Sequence, residues 1–306
     1  MVSHVPVLLK EVIENLDIKK DGFYIDATFG RGGHSKEILK HLGKEGRLLV
    51  IDKDLTAIRE ANAIKDERLI VRHGSYVMIK NIADELGISG SVLGILLDLG
   101  VSSPQLDRAE RGFSFLRDGH LDMRMDLSQI LTAENWLHSV TEKEMADVFW
   151  KYGEERFSRR IARAICNARI EKRITTTLEL AEIVSKAHPK WEKHKHPATR
   201  VFQAIRIVIN DELNELKVCL EESLKVLRVG GRLLVITFHS LEDQIVKDFI
   251  RKDSGIDKVL KSLPILEKDF KRNVKAVGKA IPPHHDEVLK NPRSRSAKLR
   301  VMEKIA

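Results

Sequence analysis

The chain has 306 residues, 42% of them hydrophobic, enough to bury one large core or two modest ones, which excludes disorder as its main state. Its longest apolar run, Val92 to Val101, is interrupted by Asp98, and mean hydropathy is -0.23, so the stretch of about 18 apolar residues needed to span a bilayer is excluded. The net charge of +8 is unevenly spread: Lys151 to Arg206 holds 14 Lys/Arg against 6 Glu, and Lys268 to Arg300 holds 10 against 3 acids. Two separate basic blocks point to a polyanionic partner more than to a solvated coat. The N-terminus lacks a basic region followed by an apolar one, so a cytoplasmic address is expected. Cys166 and Cys219 read as reduced thiols, since neither forms a CxxC pair.

In chain order, short apolar runs at Phe23–Asp26, Arg47–Asp52, Leu69–Val71 and Gly94–Asp98 alternate with helical patterns. That alternation predicts βαβ units in a parallel sheet with helices on both faces. After Pro104 helical periodicity takes over: Thr141–Tyr152, Glu155–Ile170, Thr177–Ala187 and one long helix, Ala198–Leu227, capped at Gly230-Gly231. Strand pattern returns at Arg232–Thr237 and in the alternating Ala297–Glu303. The expected fold is α/β, a doubly wound Rossmann-like domain from residues 1–112 and 204–306, with an all-helical insertion at 113–203.

Chemistry concentrates at strand ends. Asp26 is followed by the turn Gly30-Arg31-Gly32-Gly33-His34-Ser35, and Asp52 ends the second strand 20 residues after Gly32. Glycines let the backbone approach a ligand closely, and an acid at that distance suits ribose hydroxyls. A GxGxxG dinucleotide motif would need a third glycine where Ser35 stands. Carboxylates at Asp26 and Asp98 suit instead the cationic amino and sulfonium groups of S-adenosylmethionine.

These motifs closely resemble the RsmH/MraW family of bacterial 16S rRNA cytosine-N4 methyltransferases, over essentially the whole chain. The segments that carry the resemblance are His4–Leu9, Phe29–Ser35, Leu97–Leu106, Arg111–Phe115, Leu121–Asp126, Tyr152–Phe157, Phe202–Arg206 and Phe238–Asp243. The resemblance implies a Rossmann-like domain using S-adenosyl-L-methionine, with Gly32, Gly33 and His34 around the methionine part, Asp52 on the ribose, Tyr76 on the adenine, and Asp98 and Gln105 completing the pocket. It also implies a cytidine of the assembled small subunit near the decoding centre as substrate. A homodimer is left open as a further partner.

Methylating an exocyclic amine needs in-line positioning and hydrogen-bond acceptors but no covalent nucleophile. Cys166 and Cys219 lie in helical segments, which disfavours the cysteine-dependent C5 chemistry. Asp98, His239 and Ser240 are the expected catalytic residues. A satisfied core histidine competes with the reading of His239, and a helix cap competes with that of Ser240. Arg156, Arg159, Arg160 and Arg163 at i, i+3, i+4 and i+7 form an expected RNA-facing helix stripe, and Trp136, Trp150 and Trp191 are stacking candidates. His188, His194, His196, His284 and His285 lack ligand spacing, so no metal is expected. The alternatives are a nicotinamide-dependent dehydrogenase, which Ser35 disfavours, and a non-enzymatic RNA-binding protein, which the intact acids and glycines disfavour.

Overall fold

The computed structural model describes residues 6–190, 196–254 and 272–306. The chain folds as two compact units, residues 1–100 with 213–306, and residues 101–212.

The first unit begins with α1 (Leu9–Leu16), β1 (Phe23–Asp26), α2 (Gly33–His41), β2 (Arg47–Asp52), α3 (Leu55–Asn62), β3 (Leu69–His73), α4 (Ile79–Glu85) and β4 (Val92–Asp98). The second holds α5 (Ser103–Asp107), α6 (Ala133–Ser139), α7 (Glu142–Gly153), α8 (Ser158–Glu171), α9 (Thr177–Ala187) and α10 (Ala198–Asn210). The chain then returns through α11 (Glu212–Val226), β5 (Leu227–Thr237), α12 (Ser240–Asp253), β6 (Val274–Ala276), α13 (His285–Lys290) and β7 (Lys298–Lys304).

Seven strands form one sheet in the order β3-β2-β1-β4-β5-β7-β6. Strands β1 to β5 run parallel, and β7 and β6 close the edge antiparallel. Helices cover both faces, which is why the central strands are nearly continuous apolar runs: Leu48 to Ile51 and Ile95 to Leu97 are buried without exception. Strand order reverses between β1 and β4, where open α/β sheets bind ligands beyond the strands' carboxyl ends. Asp26, Asp52 and Asp98 are the last residues of β1, β2 and β4.

Three local expectations are corrected. The long helix breaks at Asp211, whose φ of 49° ends α10 in the left-handed region, a conformation that Asp tolerates better than most residues. The helix before β5 stops at Val226, and Gly230 (φ 79°) lies in a bulge where the β4–β5 register slips between Val92 and Gly94. The turn before α8 consumes Glu155 and Phe157, because the Glu155 carboxylate accepts the Phe157 amide at 2.8 Å, so the helix begins only at Ser158.

The second unit has its own core, with Phe149, Ile161, Ile165, Leu180, Val184, Val201 and Ile205 buried together. Its irregular Leu121–Asp126 segment is held by buried Asn210, which accepts the Met125 amide at 2.7 Å and donates to the Met123 carbonyl at 2.8 Å. Arg111 adds bonds to the carbonyls of Arg124 and Met125. Those contacts supply the polar partners that a buried loop needs. No helix among the described residues is long and apolar enough to cross a membrane.

Candidate active site

In the first unit, the glycine turn leaves β1 with two residues in the left-handed region, Gly30 (φ 57°) and Gly32 (φ 70°). A Cβ on Gly32 would fall 2.4 Å from the Phe29 ring, and one on Gly33 would fall 2.2 Å from Pro6. The backbone here is bare because nothing larger than hydrogen fits. The Gly30 amide donates to Asp52 at 2.8 Å and the Asp54 amide donates to its other oxygen at 2.8 Å. Asp52 thereby ties the turn to β2, and burial still pushes its carboxyl above the usual range.

Asp26 is 1% exposed and accepts from the Ser35 hydroxyl at 2.5 Å and the Thr28 amide at 3.2 Å. Burial raises its pKa to about 6; those two hydrogen bonds oppose the rise and the charge of Asp52 adds to it. Ser35, which excluded the dinucleotide motif, thus has a positive role of its own. The Asp98 amide donates to the Thr28 hydroxyl at 2.6 Å. The Asp98 carboxyl sits well above the ordinary range because of burial, with Asp26 and Glu242 repelling its charge. Its Oδ1 is buried without a hydrogen-bond partner among the described residues, which is costly unless a ligand supplies the donor.

His34, the second residue of α2, is buried, with Nε2 3.0 Å from the Val7 carbonyl and Nδ1 3.7 Å from Asp98. A carbonyl only accepts, so Nε2 carries the ring proton. This contact explains why the N-terminal segment and the glycine turn belong to one sequence pattern. Tyr76 follows β3 on a short 3-10 turn, partly buried, with the Lys53 ammonium 5.8 Å from its ring centre. Lys53 is held 2.5 Å from Glu215.

At the end of β5 stand His239 and Ser240. His239 precedes α12 as its N-cap residue, and Ser240 is the exposed first helical residue, so the cap expected at Ser240 falls one position earlier. Glu242, 2% exposed, faces His239 at 3.1 Å. In the sequence Glu242 is legible as a helix-start acid, since an acid at the third helical position signals a capping box, but its pairing with His239 is not.

Gln105, Arg156, Arg159, Arg160 and Arg163 belong to the second unit. Gln105 is buried and its side-chain oxygen accepts the Ser102 amide at 2.9 Å, closing a capping box on α5. All four arginines are exposed. Arg159, Arg160 and Arg163 share α8, whereas Arg156 sits on the preceding turn; Arg163 is 3.4 Å from Glu142. Trp136 is a core residue against Phe149, Trp150 is 62% exposed on α7, and Trp191 and His194 lie outside the described residues.

Residues 1–305 match the MraW methylase family. The chain belongs to that family. The methylase is 58% identical over 308 residues to the ribosomal RNA small subunit methyltransferase H of Legionella pneumophila (strain Paris), covering 100% of each chain. It is 53% identical to the protein of the same name from Coxiella burnetii (strain RSA 331), again over 100% of both. Among solved structures, an rRNA methylase from Streptococcus thermophilus aligns with 100% of the methylase and 99% of its own chain at 11% identity and a TM-score of 0.42.

Proposed function

We propose that this chain methylates the exocyclic N4 amine of a cytidine in the 16S rRNA of the small ribosomal subunit, near the decoding centre, with S-adenosyl-L-methionine as donor. The observation that carries the reading is the bare, acid-lined turn at the strand-order reversal, on a chain whose full-length relatives are named small-subunit rRNA methyltransferases. The residues fit a cationic ligand. Asp26, Asp52 and Asp98 add negative potential, and the turn between them is built on Gly32 and Gly33, which pack directly against Phe29 and Pro6.

When bound, the donor supplies a methyl group made electrophilic by its sulfonium. In this reading Gly32, Gly33 and His34 surround its methionine part, Asp52 holds ribose hydroxyls, and Tyr76 stacks on adenine. Asp98 stands between the cofactor strands β1 and β2 and strand β5, where its free oxygen can accept a hydrogen bond from the target amine. That bond would turn the nitrogen lone pair out of ring conjugation toward the methyl carbon. His239 and Ser240 line the acceptor side. The base must be unpaired or extruded to reach them, and the arginines around α8 would track the flanking phosphates.

The deciding experiment is methyl transfer from labelled S-adenosylmethionine to small subunits isolated from cells lacking this protein, with naked rRNA in parallel. N4-methylcytidine in the digested subunit rRNA is the expected product; binding of the donor with no incorporation into either substrate would overturn the acceptor. For the helical unit, Arg159→Gln with Arg163→Gln should lower the slope of log binding constant against log salt by about 1 to 2, as loss of two phosphate contacts requires. Donor affinity should stay unchanged in calorimetry, and an unaltered salt slope would remove α8 from the RNA track.

A further inference from the structure

The end of β5 holds a buried imidazole and carboxylate that the cofactor reading does not use. Glu242 accepts the backbone amides of Phe238 at 2.8 Å and His239 at 3.3 Å through one oxygen. Its other oxygen stands 3.1 Å from Nε2 of His239. The His239 side chain is 9% exposed, and neither of its ring nitrogens makes a hydrogen bond among the described residues. Buried ring nitrogens are ordinarily paired; an unpaired one beside a fixed carboxylate is arranged for a partner that arrives.

The position relative to Asp98 says which partner. Asp98 on β4 is in register with Ile236 on the adjacent β5, three residues before His239. Asp98 Oδ1 and His239 Nδ1 are therefore two unpaired buried atoms at neighbouring strand ends, and β5 lies on the side of β4 opposite β1 and its glycine turn. A primary amine being methylated has two hydrogens to direct: one needs an acceptor that orients the nitrogen, the other must leave.

We propose that His239 takes the proton released by the acceptor amine, and that Glu242 is the positioning residue that orients the ring and stabilises it once charged. This rests on the amine-methylation reading above. The nitrogen lone pair forms the new N–C bond, the C–S bond breaks with its electrons staying on sulfur as a neutral thioether, and the nitrogen becomes cationic. One N–H proton then passes to Nδ1 of the neutral imidazole, and the N–H electrons return to nitrogen. The resulting imidazolium lies against the Glu242 carboxylate, whose oxygen is 3.1 Å from Nε2, until solvent takes the proton.

The test uses the full chain and small subunits. His239→Ala should lower kcat about 100-fold, within the range for a lost general base, while calorimetric affinity for S-adenosylmethionine and binding to the subunit stay within twofold. Added imidazole should restore part of that rate, which a purely structural residue would not allow. Glu242→Gln keeps an oxygen for the two backbone amides and replaces the oxygen facing His239 with an amide nitrogen, so charge and acceptor are removed together; it should lower kcat about tenfold without changing donor affinity, and it carries the test if His239→Ala fails to fold. Unchanged kcat in either folded variant, or a loss that imidazole does not relieve, overturns the proposal. A parent protein that makes no N4-methylcytidine would instead overturn the reading beneath it.

Discussion

Replacing Asp98 with Ala should lower kcat/KM for methyl transfer about a thousandfold, on the scale of removing a positioned polar group that acts on the reacting atoms, while leaving the unliganded protein no less stable. The two effects have one cause. The Asp98 carboxyl is held well above its ordinary pKa by burial and by the charges of Asp26 and Glu242, and one of its oxygens has no partner. Its folded environment disfavours the ion, so the folded chain retains a proton there that the unfolded chain has released. That is a penalty absent below the unfolded pKa, growing as pH rises toward the folded one. Deleting the group removes the penalty, and the variant's melting temperature should exceed the parent's at pH 7 and converge with it near pH 4. Such a trade is what a strained binding group predicts. Activity retained within tenfold, or a variant several degrees less stable at pH 7, would show that Asp98 is an ordinary buried acid.

The sheet was legible because its strands are buried on both faces: each reads as an apolar run, and the polar residue that ends it marks where the sheet meets solvent or ligand. Asp26, Asp52 and Asp98 therefore announced themselves together, and the structure puts them at the ends of adjacent strands. The break at Asp211 was hidden because Asn210-Asp211-Glu212 contains neither Gly nor Pro. What ends α10 there is a left-handed Asp after a buried Asn whose amide is committed to Met123 and Met125, a tertiary demand that local spacing does not carry. Arg156 was placed on the α8 face for a similar reason, since periodicity continues through Glu155–Phe157 while a carboxylate–amide bond keeps that turn out of the helix. Glu242 was readable only as a capping residue; its pairing with His239 needs the end of β5 to be built first. Gln105 came only through the family resemblance, and its bond to the Ser102 amide explains its place in α5.

Asp26→Asn should remove a pH dependence worth about 3 kcal/mol from the folding of the unliganded chain, the value of a two-unit shift. Asp26 has a folded pKa of about 6 against an ordinary 3.8, driven first by burial. Between those two values the folded chain binds a proton there that the unfolded chain does not. Stability falls as pH rises through that window, and above about pH 6 this group's contribution is constant. Asparagine keeps an oxygen for the Thr28 amide and reverses the Ser35 contact, its nitrogen donating to the hydroxyl oxygen that now donates to Asp26, so the substitution changes charge with little change of shape. Denaturant unfolding of parent and variant should coincide near pH 4 and separate to about 3 kcal/mol in the variant's favour by pH 7. Equal stabilities at pH 7 would mean that Asp26 is ionised without penalty, and the turn would then be held by a satisfied carboxylate. The predicted separation would mean that the fold tolerates an unfavourable buried charge at the foot of the glycine turn. That is the electrostatic condition a cationic ligand relieves on binding, and it ties the stability of the empty protein to the chemistry of its site.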